Sequence, residues 1–180
     1  EVESEYFGIL LQNSSAISAS QNLVHIRNPV SAATNGITLV NSSQIELQKN
    51  EIDGGNIGLG ISACKENRLR DNVIAGSQNA MIIKDSLGDD IANNSILGAD
   101  YAFRIENLSH SSIYQNKIEG STTGIELVGC MKDNISENQI AEITDTAMLV
   151  TASNDNSVIG NRISDSEKGI ILLEASANRL

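Results

Sequence analysis

The sequence contains no tryptophan, two phenylalanines and three tyrosines, so aromatic residues make up only 3% of it. Its interior must be filled by something other than large rings. A single proline and two cysteines exclude a proline-rich linker and a dense disulfide framework. Positive charge is also scarce: 12 Lys and Arg stand against 23 Asp and Glu, a formal net charge of −11. Such a field repels phosphate backbones and anionic lipid headgroups, which argues against nucleic acid as a partner. Long apolar runs are missing as well. The longest notable one, Ile170 to Leu173, is far below the roughly eighteen residues that suggest a membrane span, so membrane insertion is not expected.

What is present is a repeat. The segment hydrophobic-x-x-Asn-x-aliphatic recurs at Asn28, Asn50, Asn72, Asn94, Asn116, Asn138 and Asn161, with spacings of 22 residues and a last step of 23. Two residues after each asparagine stands Val30, Ile52, Ile74, Ile96, Ile118, Ile140 or Ile163, and three residues before it His25, Leu47, Leu69, Ile91, Ile113, Ile135 or Val158. A second apolar pair follows a small residue in each copy, as in Gly58-Leu59-x-Ile61, Ala80-Met81-x-Ile83 and Gly124-Ile125-x-Leu127. Alternation with period two indicates strands, and no stretch carries a helical period. The expectation is an all-β chain of 180 residues: a single β-solenoid domain (β-helix) of about eight coils of ~22 residues, with residues 1–27 as an irregular N-terminal coil and 28–180 as regular coils. In such a stack the aliphatic columns form a dry core, and the asparagines form a structural ladder of side-chain amides. A leucine-rich repeat fits the copy around Leu47 but fails in later copies, which carry Asn67, Asp89, Ser111, Asp133 and Asn156 at its first leucine position.

Cys64 and Cys130 share one column with Ser42, Ser86 and Ser153 and lie three coils apart. Three rungs are roughly 14 Å, too far for a disulfide, whose Cα atoms lie within about 7 Å. Buried, inert thiols are expected, and no metal site.

The pattern Gly-Ile-x-Leu, then a small residue, then Ile-x-x-Asn-x-Ile resembles the right-handed parallel β-helix repeat of pectate lyases, polygalacturonases, alginate epimerases and lyases, phage tailspikes and many non-catalytic surface and periplasmic proteins. The resemblance covers about Gly8 to Leu180. It implies the fold and an extracellular, cell-surface or periplasmic location. It also directs attention to two groups of residues. Gly88-Asp89-Asp90 resembles the aspartate pair of polygalacturonases, with His110 one coil later, and Glu66, Arg68, Lys132 and Asp133 flank it; such a cluster suits acid–base work. The segment Arg104-Ile105-Glu106 departs from that family's Arg-Ile-Lys, and its glycine-flanked histidine is missing. The second group is the outward face of the second strand, where Lys84 and Arg104 stand as candidate catalytic residues beside Glu106 and Glu126 as candidate substrate-binding residues. In lyase-like relatives a Lys or Arg acts as base and neutralises a uronate carboxylate, and carboxylates hold Ca²⁺. Alternating surface salt bridges account for the same four residues. No three-aspartate cluster or Asp-Pro-His segment is present.

The chain begins at Glu1 without methionine and stops at Leu180 in mid-coil. This C-terminal end reads as uncapped, so a larger parent chain or a homo-oligomer joined there is expected. The functional expectation is a non-catalytic β-helix scaffold presenting its face to a polysaccharide or a partner subunit, with no cofactor required and Ca²⁺ as an option. A polysaccharide lyase, epimerase or hydrolase is the alternative, and a self-assembling structural solenoid the third reading.

Overall fold

The computed structural model describes residues 1–27 and 34–180. It is an all-β parallel solenoid of about eight coils, with no helix among the described residues. Three strands make a coil. In residues 46–62 they are Glu46–Gln48, Glu51–Asp53 and Ile57–Ser62. The two short strands each bury their middle residue, Leu47 and Ile52, and the longer one buries Leu59 and Ile61 on one face. Between strands the chain turns within one residue held in the left-handed region, such as Lys49 (φ 55°), Gly54 (φ 84°), Ala63 (φ 53°) and Glu66 (φ 57°). Asn, Asp and Gly tolerate that region best, which explains their abundance at corners. Gly58 meets a different demand: a Cβ there would come 2.5 Å from Ile74 Cγ2 and 2.8 Å from the Ala80 carbonyl oxygen. Only small residues fit where this corner presses on the next coil.

Every strand pairing is parallel. One column of short strands forms a seven-stranded sheet, in which Ala19, Leu47, Leu69, Ile91, Ile113, Ile135 and Val158 are in register. The other two columns belong to one fourteen-stranded sheet, because Gln139–Thr151 runs straight through the corner that separates them in earlier coils. Its pairing with Arg162–Leu173 shifts register between Ile143 and Thr146. The core is a set of aliphatic columns, with Phe103 the one fully buried aromatic side chain. Stacked β-branched and leucine side chains fill a narrow interior to high density, so rings are not needed.

The asparagine column is bonded at each rung. Oδ1 of Asn94 accepts the backbone N–H of Asn72 at 3.0 Å and its Nδ2 at 3.0 Å, while Nδ2 of Asn94 donates to Leu69 O at 2.9 Å and to Asn116 Oδ1 at 3.0 Å. Asn50, Asn72, Asn116 and Asn138 repeat the arrangement, and Asn161 accepts from Asn138 at the last rung. Asn28 lies outside the described residues, as does Val30. The residue that stacks on Asn50 is Asn22, whose Nδ2 donates to Asn50 Oδ1 at 2.9 Å across 28 residues. The first coil is longer than the rest, and this moves the register: Ala19 pairs with Leu47, Val24 with Ile52, and His25 with Asp53. His25 is therefore not in the inward aliphatic column. It faces outward with Nδ1 2.9 Å from Asp53 Oδ2.

Replacing Asn94 by alanine leaves the backbone N–H of Asn72 and one hydrogen of its Nδ2 without partners, at about 1–3 kcal/mol for each unsatisfied group. Urea unfolding followed by circular dichroism should show a loss of roughly 2–4 kcal/mol for Asn94→Ala; a change within 0.5 kcal/mol, the scatter of ordinary surface substitutions, would contradict the ladder's role.

Candidate functional site

The strands Asn79–Lys84, Tyr101–Glu106 and Thr123–Val128 lie side by side in the fourteen-stranded sheet. Register places Ile82, Arg104 and Glu126 in one outward row, and Lys84, Glu106 and Val128 in the next. The four charged residues singled out on this face are thus brought together. Lys84 Nζ is 3.0 Å from Glu106 Oε2, and Arg104 Nε is 3.7 Å from Glu106 Oε1 and 3.3 Å from Glu126 Oε2. The last pair closes no hydrogen bond: Arg104 Nε and Glu126 Oε2 are both sealed from solvent without a hydrogen-bond partner. The Arg104 guanidinium also lies 5.1 Å from the centre of the Tyr101 ring, a cation–π contact. Sequence reasoning missed Tyr101. Its signal was a rare aromatic three residues before Arg104 in a chain with almost no rings.

Asp89, Asp90 and His110 go to three different places. Asp90 faces outward on the seven-stranded sheet, where Arg70 binds it and also donates to Tyr114 Oη at 3.3 Å. His110 occupies an exposed corner with φ 54°, in the column that holds Glu66, Gly88 and Lys132, all left-handed. Asp89 points inward and is 1% exposed. No acid–base constellation forms from these three.

Asp89 belongs to a second polar ladder that sequence reasoning did not recognise. Its Oδ1 accepts the backbone N–H and the Nδ2 of Asn67, both at 2.9 Å. Its own N–H bonds to Ser111 Oγ, that of Ser111 to Asp133 Oδ1 at 2.8 Å, and that of Asp133 to Asn156 Oδ1 at 2.9 Å. The signal lay in the very residues that broke the leucine-rich pattern: short polar side chains recurring in one column. Burial lifts the Asp89 carboxyl from 3.8 to about 6, against the opposing hydrogen bonds from Asn67. It lifts Asp133 likewise to about 6, with the nearby Asp89 charge adding to the effect and the Ser111 and Met131 N–H groups opposing it. The cysteines complete a third ladder. Cys64 Sγ accepts from Ser42 N–H at 3.4 Å, and Cys130 N–H donates to Ser153 Oγ at 2.9 Å. Both thiols are free and buried, and burial pushes Cys130 up to about 11 and raises Cys64.

Residues 1–140 match the family described as periplasmic copper-binding protein (NosD), and residues 101–180 match the right handed beta helix region. No curated protein sequence matches the chain. Three solved structures share its fold at 12% identity each. Tailspike protein 2 of bacteriophage CBA120 (its enzymatically active domain) has a TM-score of 0.74, covering 98% of this chain and 32% of its own. The A-module of the Azotobacter vinelandii mannuronan C-5 epimerase has a TM-score of 0.71, covering 97% and 59%. DFA-IIIase from Arthrobacter chlorophenolicus, solved in complex with DFA-III, has a TM-score of 0.63, covering 74% and 40%. The chain thus spans less than two thirds of each. The fold is the right-handed parallel β-helix of the pectate lyase-like type.

The described histidines and thiols do not assemble into a copper site. His25 is engaged by Asp53, His110 is at an exposed corner with Met131 exposed on the next coil, Cys64 and Cys130 sit on separate inner rungs, and Met81 and Met148 are in the core. Among the described residues no three His, Cys, Asp or Glu side chains converge as a metal-ligand group.

The charged row is partly exposed, with Lys84 and Glu106 side chains 42% and 31% accessible. A double-mutant cycle of Lys84→Ala and Glu106→Ala should give a coupling below about 1 kcal/mol that shrinks with added salt. A larger, salt-insensitive coupling would mean that the row holds the sheet together rather than decorating it.

Proposed function

The chain belongs to the family described as periplasmic copper-binding protein (NosD), and from this premise we propose that it is a non-catalytic β-helix binding scaffold working outside the cytoplasm, in the periplasm or at the cell surface. One observation carries the non-catalytic reading: the candidate acids and bases do not assemble. Asp89 is spent on the inner ladder, Asp90 on Arg70, and Lys84 and Arg104 on the carboxylates beside them. A general base needs an open path to substrate and a partner aimed at the reacting atom. None of these groups combines the two.

The ligand supported best is a polysaccharide lying across the fourteen-stranded sheet. Strands there repeat every ~4.8 Å along the solenoid, close to the length of one sugar ring in a polymer. Tyr101, held by Arg104, offers a flat ring for stacking, and Lys84, Glu106 and Glu126 offer donors and acceptors for hydroxyl groups. The structures that share the fold, an epimerase of mannuronan among them, favour the same class. A partner subunit is the second reading, favoured by aliphatic side chains exposed on this sheet towards its two ends, Leu10 (47%) and Leu173 (50%). No helix among the described residues is long and apolar enough to cross a membrane.

The test is incubation with neutral and uronic-acid polysaccharides, with and without calcium, followed by size-exclusion elution. The expected result is co-elution of protein and an unshortened polymer, with affinity falling at least tenfold in Tyr101→Ala and Arg104→Ala. Shortened polymer would replace this reading with an enzyme. Absence of co-elution together with concentration-dependent sedimentation would replace the polysaccharide with a partner subunit.

A further inference from the structure

The second inner ladder contains an atom too many of one kind. At its lower rungs the column is built from amides: Asn156 Nδ2 donates to Cys130 O at 3.1 Å, and Asn178 Nδ2 donates to Ser153 O at 2.8 Å. Two rungs carry carboxyls instead. Oδ1 of Asp89 and of Asp133 plays the amide oxygen's part and accepts from the coil before it. Oδ2 of each then stands in the place of the amide nitrogen, sealed from solvent and without a hydrogen-bond partner. The repeat sets the carbonyl of Cys64 opposite Asp89, and that of Leu108 opposite Asp133, in the position that Asn156 and Asn178 fill with a donated hydrogen bond. A carboxylate there meets a carbonyl oxygen with no hydrogen between them, which is repulsive. A carboxylic acid supplies the missing donor.

We propose that Asp89 and Asp133 form a proton-binding pair inside the β-helix, held as neutral acids that complete the polar ladder and weakening the stack when they ionise. The groups facing them permit this. Asp89 meets Asn67, Ser111 and the buried thiol of Cys64, and Asp133 meets Ser111, Asn156 and Cys130. No lysine or arginine acts on either carboxyl among the described residues, and the charge that does reach Asp133 is that of Asp89, two rungs away. That like charge opposes the ionisation of Asp133, adding to the larger effect of burial. The nearest outward acid, Asp90, is already neutralised by Arg70 and belongs to the opposite face of its strand.

The direction of the pH effect follows from linkage. Unfolded, both carboxyls titrate near 3.8; folded, near 6. Between these values the native state holds more protons than the unfolded one, so stability falls as pH rises through that window and levels off above about 6. Two units correspond to a factor on the order of a hundred in the unfolding constant for each carboxyl.

Asp89→Asn and Asp133→Asn are the deciding variants, because asparagine already occupies this column at Asn67, Asn156 and Asn178 and the folded shape is preserved. Urea unfolding of the whole chain from pH 4 to 8 should show the double variant gaining stability relative to the parent as pH rises, by a hundredfold or more in the unfolding constant at pH 7. The infrared difference between folded parent and double variant at pD 5 should carry a protonated-carboxyl C=O band equivalent to the two buried acids, which fades towards pD 7. Parallel pH profiles for parent and variant, or no such band in the difference spectrum, would overturn the proposal.

Discussion

Everything in this molecule depends on one requirement: backbone N–H groups at an inward-turning corner must find acceptors that the sheet ladders do not supply. Asparagine meets it. Its amide accepts from the coil before and donates both to that coil's carbonyl and to the next asparagine. Because an unpaired buried donor costs as much as a sizeable share of a domain's net stability, the corner cannot slip by one residue. The 22-residue period is the imprint of that constraint. The first coil obeys it too, since a spacing of 28 residues still ends with Asn22 bonded to Asn50.

Once the corner is pinned, the remaining geometry is inherited. Side chains of equal rank stack in columns, the inward ones become a core of isoleucine, leucine, valine and methionine, and the outward ones become rows at strand spacing. A row of alternating charge on such a face pairs with its neighbours before it meets any ligand, as Lys84, Glu106, Arg104 and Glu126 do. On this face the outward groups leave the sheet side by side and meet one another first.

The fold was legible in the sequence because register repeats without drift from Asn50 to Asn138, so one period and one alternation were enough. The charged row on the fourteen-stranded sheet was legible for the same reason: period two within a strand and 22 between coils set which residues share a face. The first coil was not legible. His25 fits the motif by spacing alone, and only the pairing of Val24 with Ile52 and His25 with Asp53 fixes the true frame there. The Arg70, Asp90 and Tyr114 group was hidden because long side chains reach across two coils, beyond what strand register specifies. The second ladder was hidden by chemistry, since Asn, Asp and Ser look like variation in a sequence yet do one job in the corner. Separating Asp89 from Asp90 required knowing which face of a three-residue strand looks inward.

The two thiols give the stack a built-in gauge. Cys64 and Cys130 lie three coils apart, each nearly inaccessible and each with its thiolate disfavoured by burial. A thiol-modifying reagent reaches either one only while its own coil is open, so the two modification rates measure how often each level of the solenoid separates from its neighbours. A rod that unzips from one end would label its cysteines one after the other, and a rod that melts as a unit would label them together. The order of reaction would thus record the direction in which this protein comes apart.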